Sequence, residues 1–422
     1  MIETQATMQG ANGSFNFLHF QLLFVLCILA AGSFALQMGE TCSSNASCDT
    51  GLHCETCIAD GSIHPRCTRI QPVNPTSKVK GLPFNRYSWL TTHNSFSLLG
   101  AKSETGSPLI TQFNQEDSVT SQLNNGVRGF MLDMYDFLND IWLCHSFGGN
   151  CYNFTAFQPA INVLKEIEVF LSSNPSEIVT IFIEDYVTSP KGLSNLFNAS
   201  GLRNYLFPLS RMPRNGSDWP TVDAMVAENQ RLVVFTSQIK KEETEGIAYN
   251  WKYVVENQYG DGGMKPKSCP NRAESPALDT QDIKLFIQNY FPSNPNVSHA
   301  CVDNSGPLNS MMSTCYSEAG NRWPNFIAVD FYQRSNGGGA PEAVDKAGGR
   351  LICGCDSVAF CVTGAPFGTC DVAISPTSHP PVDAPTSPTS FSQNTADAGR
   401  TSRLLRWWLS TTMAALFFLH CW

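Results

Sequence analysis

Two of the eight histidines in this 422-residue chain close apolar, β-prone runs. His93 ends the run in WLTTHNSF with Asn94 beside it, and His145 ends the run in IWLCHSFGG. Three more runs end in acids: GFMLDMYD carries Asp133, Tyr135 and Asp136, IVTIFIEDY carries Glu184 and Asp185, and NFIAVDFY reaches Asp330. An imidazole exchanges a proton near neutral pH, so two of them with carboxylate neighbours can serve as general base and general acid. Phosphodiester cleavage suits that set. One histidine removes a proton from a hydroxyl nucleophile, the other protonates the leaving oxygen, and a cation or fixed dipoles hold the phosphoryl charge. Asn94, Asp133 and Glu184 offer the oxygen ligands that a hard cation such as Ca²⁺ takes.

These residues are far apart in sequence, so the fold must gather them. The apolar runs predict strands at 88–92, 129–135, 141–144, 178–184, 231–236, 284–290 and 326–332, with WKYVV from Trp251 an ambiguous eighth. Helical patterns lie between them: EDSVTSQLNNG, FQPAINVLKEIEVFLSSNP stopped by Pro175, SPKGLSNLF, TVDAMVAEN and APEAVDKAGG. Strands alternating with helices in this number predict an α/β fold, a TIM-type (β/α)8 barrel, in which all strand C-termini meet at one mouth. Period two sharpens this: Met131, Asp133 and Tyr135 share a face, as do Phe182 and Glu184, and Ala328 and Asp330. No G-x-S-x-G elbow, Walker loop or G-x-G-x-x-G before a helix is present, and SNGGGAPE at 335–342 reads as a loop.

Charged residues make up only 15% of the chain, the net charge is −9, and the interior holds no long basic run, which excludes nucleic acid as a partner. Residues 1–35 read as a signal peptide with an apolar centre and small residues at Ser33 and Ala35. Residues 375–398 read as a Pro/Ser/Thr-rich stalk, and 399–422 as a GPI-attachment propeptide, with the attachment residue within 394–399. A simple tail anchor is the alternative for that last segment. Of sixteen cysteines, all but Cys27 and Cys421 lie between these end segments, an even set suited to disulfides in an exported protein. Sequons at Asn45, Asn153, Asn198, Asn215 and Asn296 agree with export. Residues 36–74 form a cysteine-rich module with five cysteines, so at least one must pair outside it; metal binding by Cys54, Cys57, His53 and His64 is the alternative use. The barrel is assigned to 75–374.

Taken together, THNSF, GVRGFMLDMYDF, LCHSFGG, IVTIFIEDY and FIAVDFYQRS resemble the phosphatidylinositol-specific phospholipase C X-domain superfamily, most closely the plant GPI-anchored PLC-like phosphodiesterases. The resemblance covers about residues 78–350. It implies attack by an inositol 2-hydroxyl on an inositol-lipid phosphodiester, giving a cyclic phosphate, with His93 as general base, His145 as general acid and Asp330 supporting His93. It also implies that Asn94, Asp133 and Glu184 match calcium-ligand positions of the animal enzymes, where Met131 replaces a further acidic ligand. Bacterial relatives carry an arginine where Asp133 stands; Arg128 lies on the opposite face, which leaves a weak Ca²⁺ site or another residue, such as Lys252, to supply the charge. The substrate expected is an inositol phospholipid or glycosyl-inositol lipid at the extracellular face of the plasma membrane. A catalytically weak, GPI-anchored binding or wall-associated protein on the same barrel is the alternative. A metal-dependent glycerophosphodiesterase would need a fuller acidic cluster near His93.

Overall fold

The computed structural model describes residues 35–371. The expected stalk, attachment segment and all but the last residue of the signal peptide lie outside the described residues. No helix among those described is long and apolar enough to cross a membrane.

The chain starts with a hairpin, β1 (Leu52–Glu55) and β2 (Arg66–Arg69), paired antiparallel. It has little apolar surface of its own and is stapled by Cys42–Cys54 and Cys48–Cys67. The odd fifth cysteine, Cys57, bonds Cys301 across 244 residues of sequence and ties the module to the barrel. All fourteen cysteines of the described residues are in disulfides, which removes the metal alternative for Cys54 and Cys57.

Next come β3 (Trp89–Thr92), β4 (Val127–Phe137), β5 (Asp140–Cys144), β6 (Ala156–Pro159), β7 (Val179–Tyr186), β8 (Leu232–Thr236), β9 (Ala248–Tyr249), β10 (Val254–Glu256), β11 (Leu285–Tyr290) and β12 (Phe326–Val329). Eight of them, β3, β4 and β7 to β12, follow one another in chain order around a curled parallel sheet, and β12 pairs back onto β3. The ladder is interrupted between β9 and β10, which are joined by a one-turn 3-10 helix, Asn250–Lys252.

Two expectations change. The run at 141–144 is not a barrel stave: β5 pairs antiparallel with the overhanging end of β4, and β6 extends that ribbon. In WKYVV only Val254 and Val255 are strand, because the first three residues belong to or close the 3-10 turn. The two-residue β9 lay below what a periodic signal can reveal.

Period two divides the staves into an inner and an outer set. Trp89, Phe182, Phe235, Ile287 and Phe326 pack in one buried cluster inside the ring. Leu90, Phe130, Leu132, Ile181, Val234 and Ile327 pack in another, against the helices. Helix Ala160–Ser173 shows how that layer is built: Val163, Leu164, Ile167 and Leu171 repeat at helical spacing and are buried, and the helix stops ahead of Pro175. Gly129 lets β3 and β4 approach, since a Cβ there would stand 2.2 Å from Thr91 Oγ1.

Candidate active site

Met131, Asp133, Phe182, Glu184, Phe235, Glu256, Ile287 and Asn289 point inward and line a cavity of about 280 Å³ at the C-terminal mouth, together with His93, Asn94 and His145. Five of the six expected residues therefore share one cavity, and the sixth, Asp330, lies directly behind His93.

His93 follows β3, its N–H donating to Val329 O (3.1 Å) so that the ladder to β12 still holds it. Asn94 takes a left-handed backbone, φ 41°, and turns the chain away from the ring. His93 Nδ1 donates to Asp330 Oδ1 at 2.9 Å, and Asn114 Nδ2 donates to the same oxygen at 2.9 Å. The imidazole also stacks on Phe291, with centroids 3.7 Å apart and planes 8° apart. With Nδ1 carrying the proton, Nε2 is left to accept one.

His145 reaches the mouth by another route. β4 overshoots the barrel and β5 runs back along it, pairing Leu143 with Met134, so the chain has returned past the level of Asp133 when it reaches His145. The Cys144–Cys151 disulfide closes the loop that follows. His145 N–H donates to Thr155 O (3.1 Å), and its Nδ1 donates to the backbone carbonyl of Gln112 (2.9 Å), again leaving Nε2 free. Burial, and then the charge of His93, hold the His145 imidazole below its ordinary 6.5.

On the opposite wall Asp133 and Glu184 are register partners on β4 and β7. Burial, reinforced by the Glu184 charge, pushes the Asp133 carboxyl well above the usual range, and Arg272 acts against both. With its nitrogen toward Asp133, Asn94 donates to both carboxylate oxygens at 3.0 and 3.2 Å; turned the other way, its oxygen would need a protonated Asp133 or a cation between them. The donor set, two carboxylates and an amide oxygen, thus fits a hard cation. Met131 adds nothing to it.

Neither basic residue weighed above serves the cavity. Lys252 Nζ pairs with Glu242 at 2.9 Å, away from the cavity wall. Arg128 pairs with Glu177 at 2.8 Å and lies over the Phe170 ring, at the far side of the sheet. Arg272 lines the cavity instead, carried there by the loop between β10 and β11. Sequence reasoning missed it, along with Glu256, Asn289 and Asn114. All but Asn114 come from the β10–β11 region, and Glu256 and Asn289 do end apolar runs; Arg272 and Asn114 lie in loops where no period marks a residue.

Fold and site together define a β/α barrel protein with a paired-histidine mouth. The family model described as PI-PLC X 1 matches residues 89–344. A PI-PLC X domain-containing protein of Arabidopsis thaliana is 55% identical over 348 residues, which cover 82% of this chain and 82% of that protein. An uncharacterized secreted protein of Arthroderma benhamiae is 24% identical over 336 residues, 74% of this chain and 71% of its own. Among solved structures, the phosphatidylinositol-specific phospholipase C from Listeria monocytogenes aligns with a TM-score of 0.40 at 17% identity, over 59% of this chain and 89% of that one. The chain belongs to the PI-PLC X domain family.

Proposed function

We propose that the protein is a phosphoric diester hydrolase of the phospholipase C type, acting on an inositol phospholipid or glycosyl-inositol lipid at the cell surface. The observation that carries this reading is the pair of imidazoles at one cavity, each with Nδ1 engaged behind it and Nε2 left for proton transfer. His93 Nε2 takes the proton of the inositol 2-hydroxyl as its oxygen attacks phosphorus. Asp330 stabilises the imidazolium that forms. The bond from phosphorus to the lipid oxygen breaks as His145 gives that oxygen its proton, leaving a cyclic inositol phosphate and a neutral alcohol.

Asn94, Asp133 and Glu184 would hold Ca²⁺, which would supply a Lewis-acidic charge beside the phosphoryl group. Seven disulfides support export, and GPI anchoring would place the mouth near lipid of the outer leaflet. A second reading, a binding protein with little turnover, draws on Met131, an apolar side chain on the wall where another acid would complete the cation site.

The test expresses the exported protein and follows cleavage of inositol phospholipids and glycosyl-inositol lipids with and without Ca²⁺, against His93→Ala and His145→Ala. Cyclic phosphate release that falls by at least about 10²-fold in each variant supports the hydrolase. Headgroup binding by calorimetry without any product supports the binding protein, and variants as active as wild type would remove the roles assigned to the histidines.

A further inference from the structure

We propose that Arg272 is the phosphate-binding cation of this cavity, a guanidinium delivered by the β10–β11 loop to hold the nonbridging oxygens of the phosphoryl group. This deepens the phosphodiesterase reading and rests on it for the identity of the substrate. It assigns the charge that the histidine pair by itself lacks.

Among the residues lining the cavity Arg272 is the one lysine or arginine, set against the acids Asp133, Glu184 and Glu256. A phosphodiester entering such a cavity needs a positive partner. The guanidinium is held in place before any ligand arrives. Its Cζ stands 5.0 Å from the centroid of the Trp251 ring and 4.8 Å from that of the Tyr259 ring. Tyr259 stacks in turn near Phe291 (6.3 Å), and Phe291 stacks on His93 (3.7 Å), so one run of planar groups joins the guanidinium to the general base.

The loop itself is fixed. Cys269–Cys315 bonds it to helix Gly306–Glu318 three residues before Arg272. Arg272 N–H donates to Glu256 O (3.1 Å), and Asn271 Nδ2 donates to Ser275 O (2.8 Å).

Hydrogen-bond accounting leaves the guanidinium with capacity to spare. Nε donates to Glu274 (3.0 Å) and Nη1 to Glu256 (3.0 Å), while Nη2 has no partner among the described residues. Two of five N–H groups are used. Glu256 is occupied in its own right, accepting from Trp251 Nε1 (3.0 Å) and Asn289 Nδ2 (2.8 Å), so it anchors Arg272 without covering its remaining edge. A planar fork with free N–H groups suits phosphate oxygens, and a lysine at the same place would lack both the fork and the stacking.

The experiment measures binding of inorganic phosphate to the disulfide-intact protein by ³¹P NMR in the presence of a calcium chelator, with uncharged myo-inositol as the control ligand. Wild type is expected to bind phosphate without calcium, Arg272→Met to bind it at least about tenfold more weakly, and Arg272→Lys to fall between. Inositol affinity should change less than about twofold in all three. If Arg272→Met does not fold, as judged by thermal melting and an intact Cys269–Cys315 bond, Glu274→Gln provides the readout: it removes a competing acceptor and should raise phosphate affinity about twofold or more. Phosphate binding that needs calcium, that persists in Arg272→Met, or that is absent from wild type overturns the proposal. Phosphate binding of the expected pattern without turnover of any inositol phosphodiester would count against the hydrolase while leaving the role of Arg272 standing.

Discussion

Replacing Asp330 by asparagine separates the charge behind His93 from its geometry. Asp330 Oδ1 accepts from His93 Nδ1 and from Asn114 Nδ2, each at 2.9 Å, while Oδ2 is buried with no partner. Asn114 Nδ2 can only donate, so in Asp330→Asn it holds the new amide oxygen where Oδ1 stood and leaves the new NH₂ group at the Oδ2 position. His93 keeps an acceptor at Nδ1, its proton stays there, and Nε2 remains a base. Only the negative charge opposite the imidazolium is lost. A hydrogen bond to a charged group contributes about 1.5–3 kcal/mol, so kcat should fall about 10- to 150-fold. That is far short of the roughly 10⁴-fold loss that follows when an amide imposes the wrong tautomer. Adding Asn114→Leu frees the amide to turn its NH₂ toward His93, and the loss should then move toward the larger figure. The assay is kcat on a water-soluble inositol phosphodiester, with ¹⁵N spectra of the His93 ring to report the tautomer. A 10⁴-fold loss in Asp330→Asn alone, or a double variant no worse than the single one, would refute this account of the dyad.

Two further expectations concern pH and the staple. In the proposed mechanism His145 must be protonated, and its imidazole is held below 6.5, so activity should decline with rising pH through a midpoint under 6.5; a midpoint above 7 would show that burial and His93 do not govern it. The same depression means that the unfolded chain protonates first, so this residue's contribution to stability is present above 6.5 and is lost as pH falls below it, a slope that His145→Gln should remove in chemical denaturation. Opening Cys57–Cys301 with paired serine substitutions frees a loop of 244 residues, which costs up to about 5 kcal/mol in chain entropy. For a body of this size that corresponds to a fall in Tm of roughly 7 °C. An unchanged Tm would mean that the module and the barrel do not unfold together.

The parts of this molecule that announced themselves in the sequence are those where a periodic element forces a residue to a definite place. Glu184 and Asp330 could be read because a stave buries alternate side chains and must end somewhere, and the end of a parallel stave is the mouth. His145 could be read as a mouth residue although the run before it was misread: IWLC is equally apolar as a stave or as an antiparallel ribbon, and only its partner, the long overhang of β4, decides between them. Arg272 and Asn114 were illegible for a different reason. Each does its work from a loop whose path is set by distant contacts, Cys269–Cys315 for one and the backbone of Ser97 for the other, and neither contact leaves a local pattern. Lys252 was named for the phosphoryl charge on residue type alone, and the 3-10 turn directs it to Glu242.

The spacing of the two imidazoles poses a problem that the barrel alone does not solve. β3, which delivers His93, and β5, which delivers His145, are not neighbours; β4 lies between them, so no ladder of backbone hydrogen bonds joins them directly. A base and an acid working on one phosphorus need fixed separation, since small misplacement is costly. Residues 112–117 supply the connection. Gln112 O holds His145 Nδ1, Asn114 Nδ2 holds Asp330 behind His93, and Gln115 Nε2 donates to His93 O at 2.8 Å. Asp117 then accepts from Tyr332 (2.8 Å), and Glu116 accepts from Arg334 Nε (2.6 Å). Arg334 in turn reaches Glu55 on the cysteine-rich hairpin at 3.4 Å, and Glu55 also accepts the Ser335 N–H at 3.0 Å. The disulfide-stapled module is therefore linked, through one arginine, to the segment whose hydrogen bonds reach both His93 and His145, which joins a small domain with almost no core of its own to the support of the mouth.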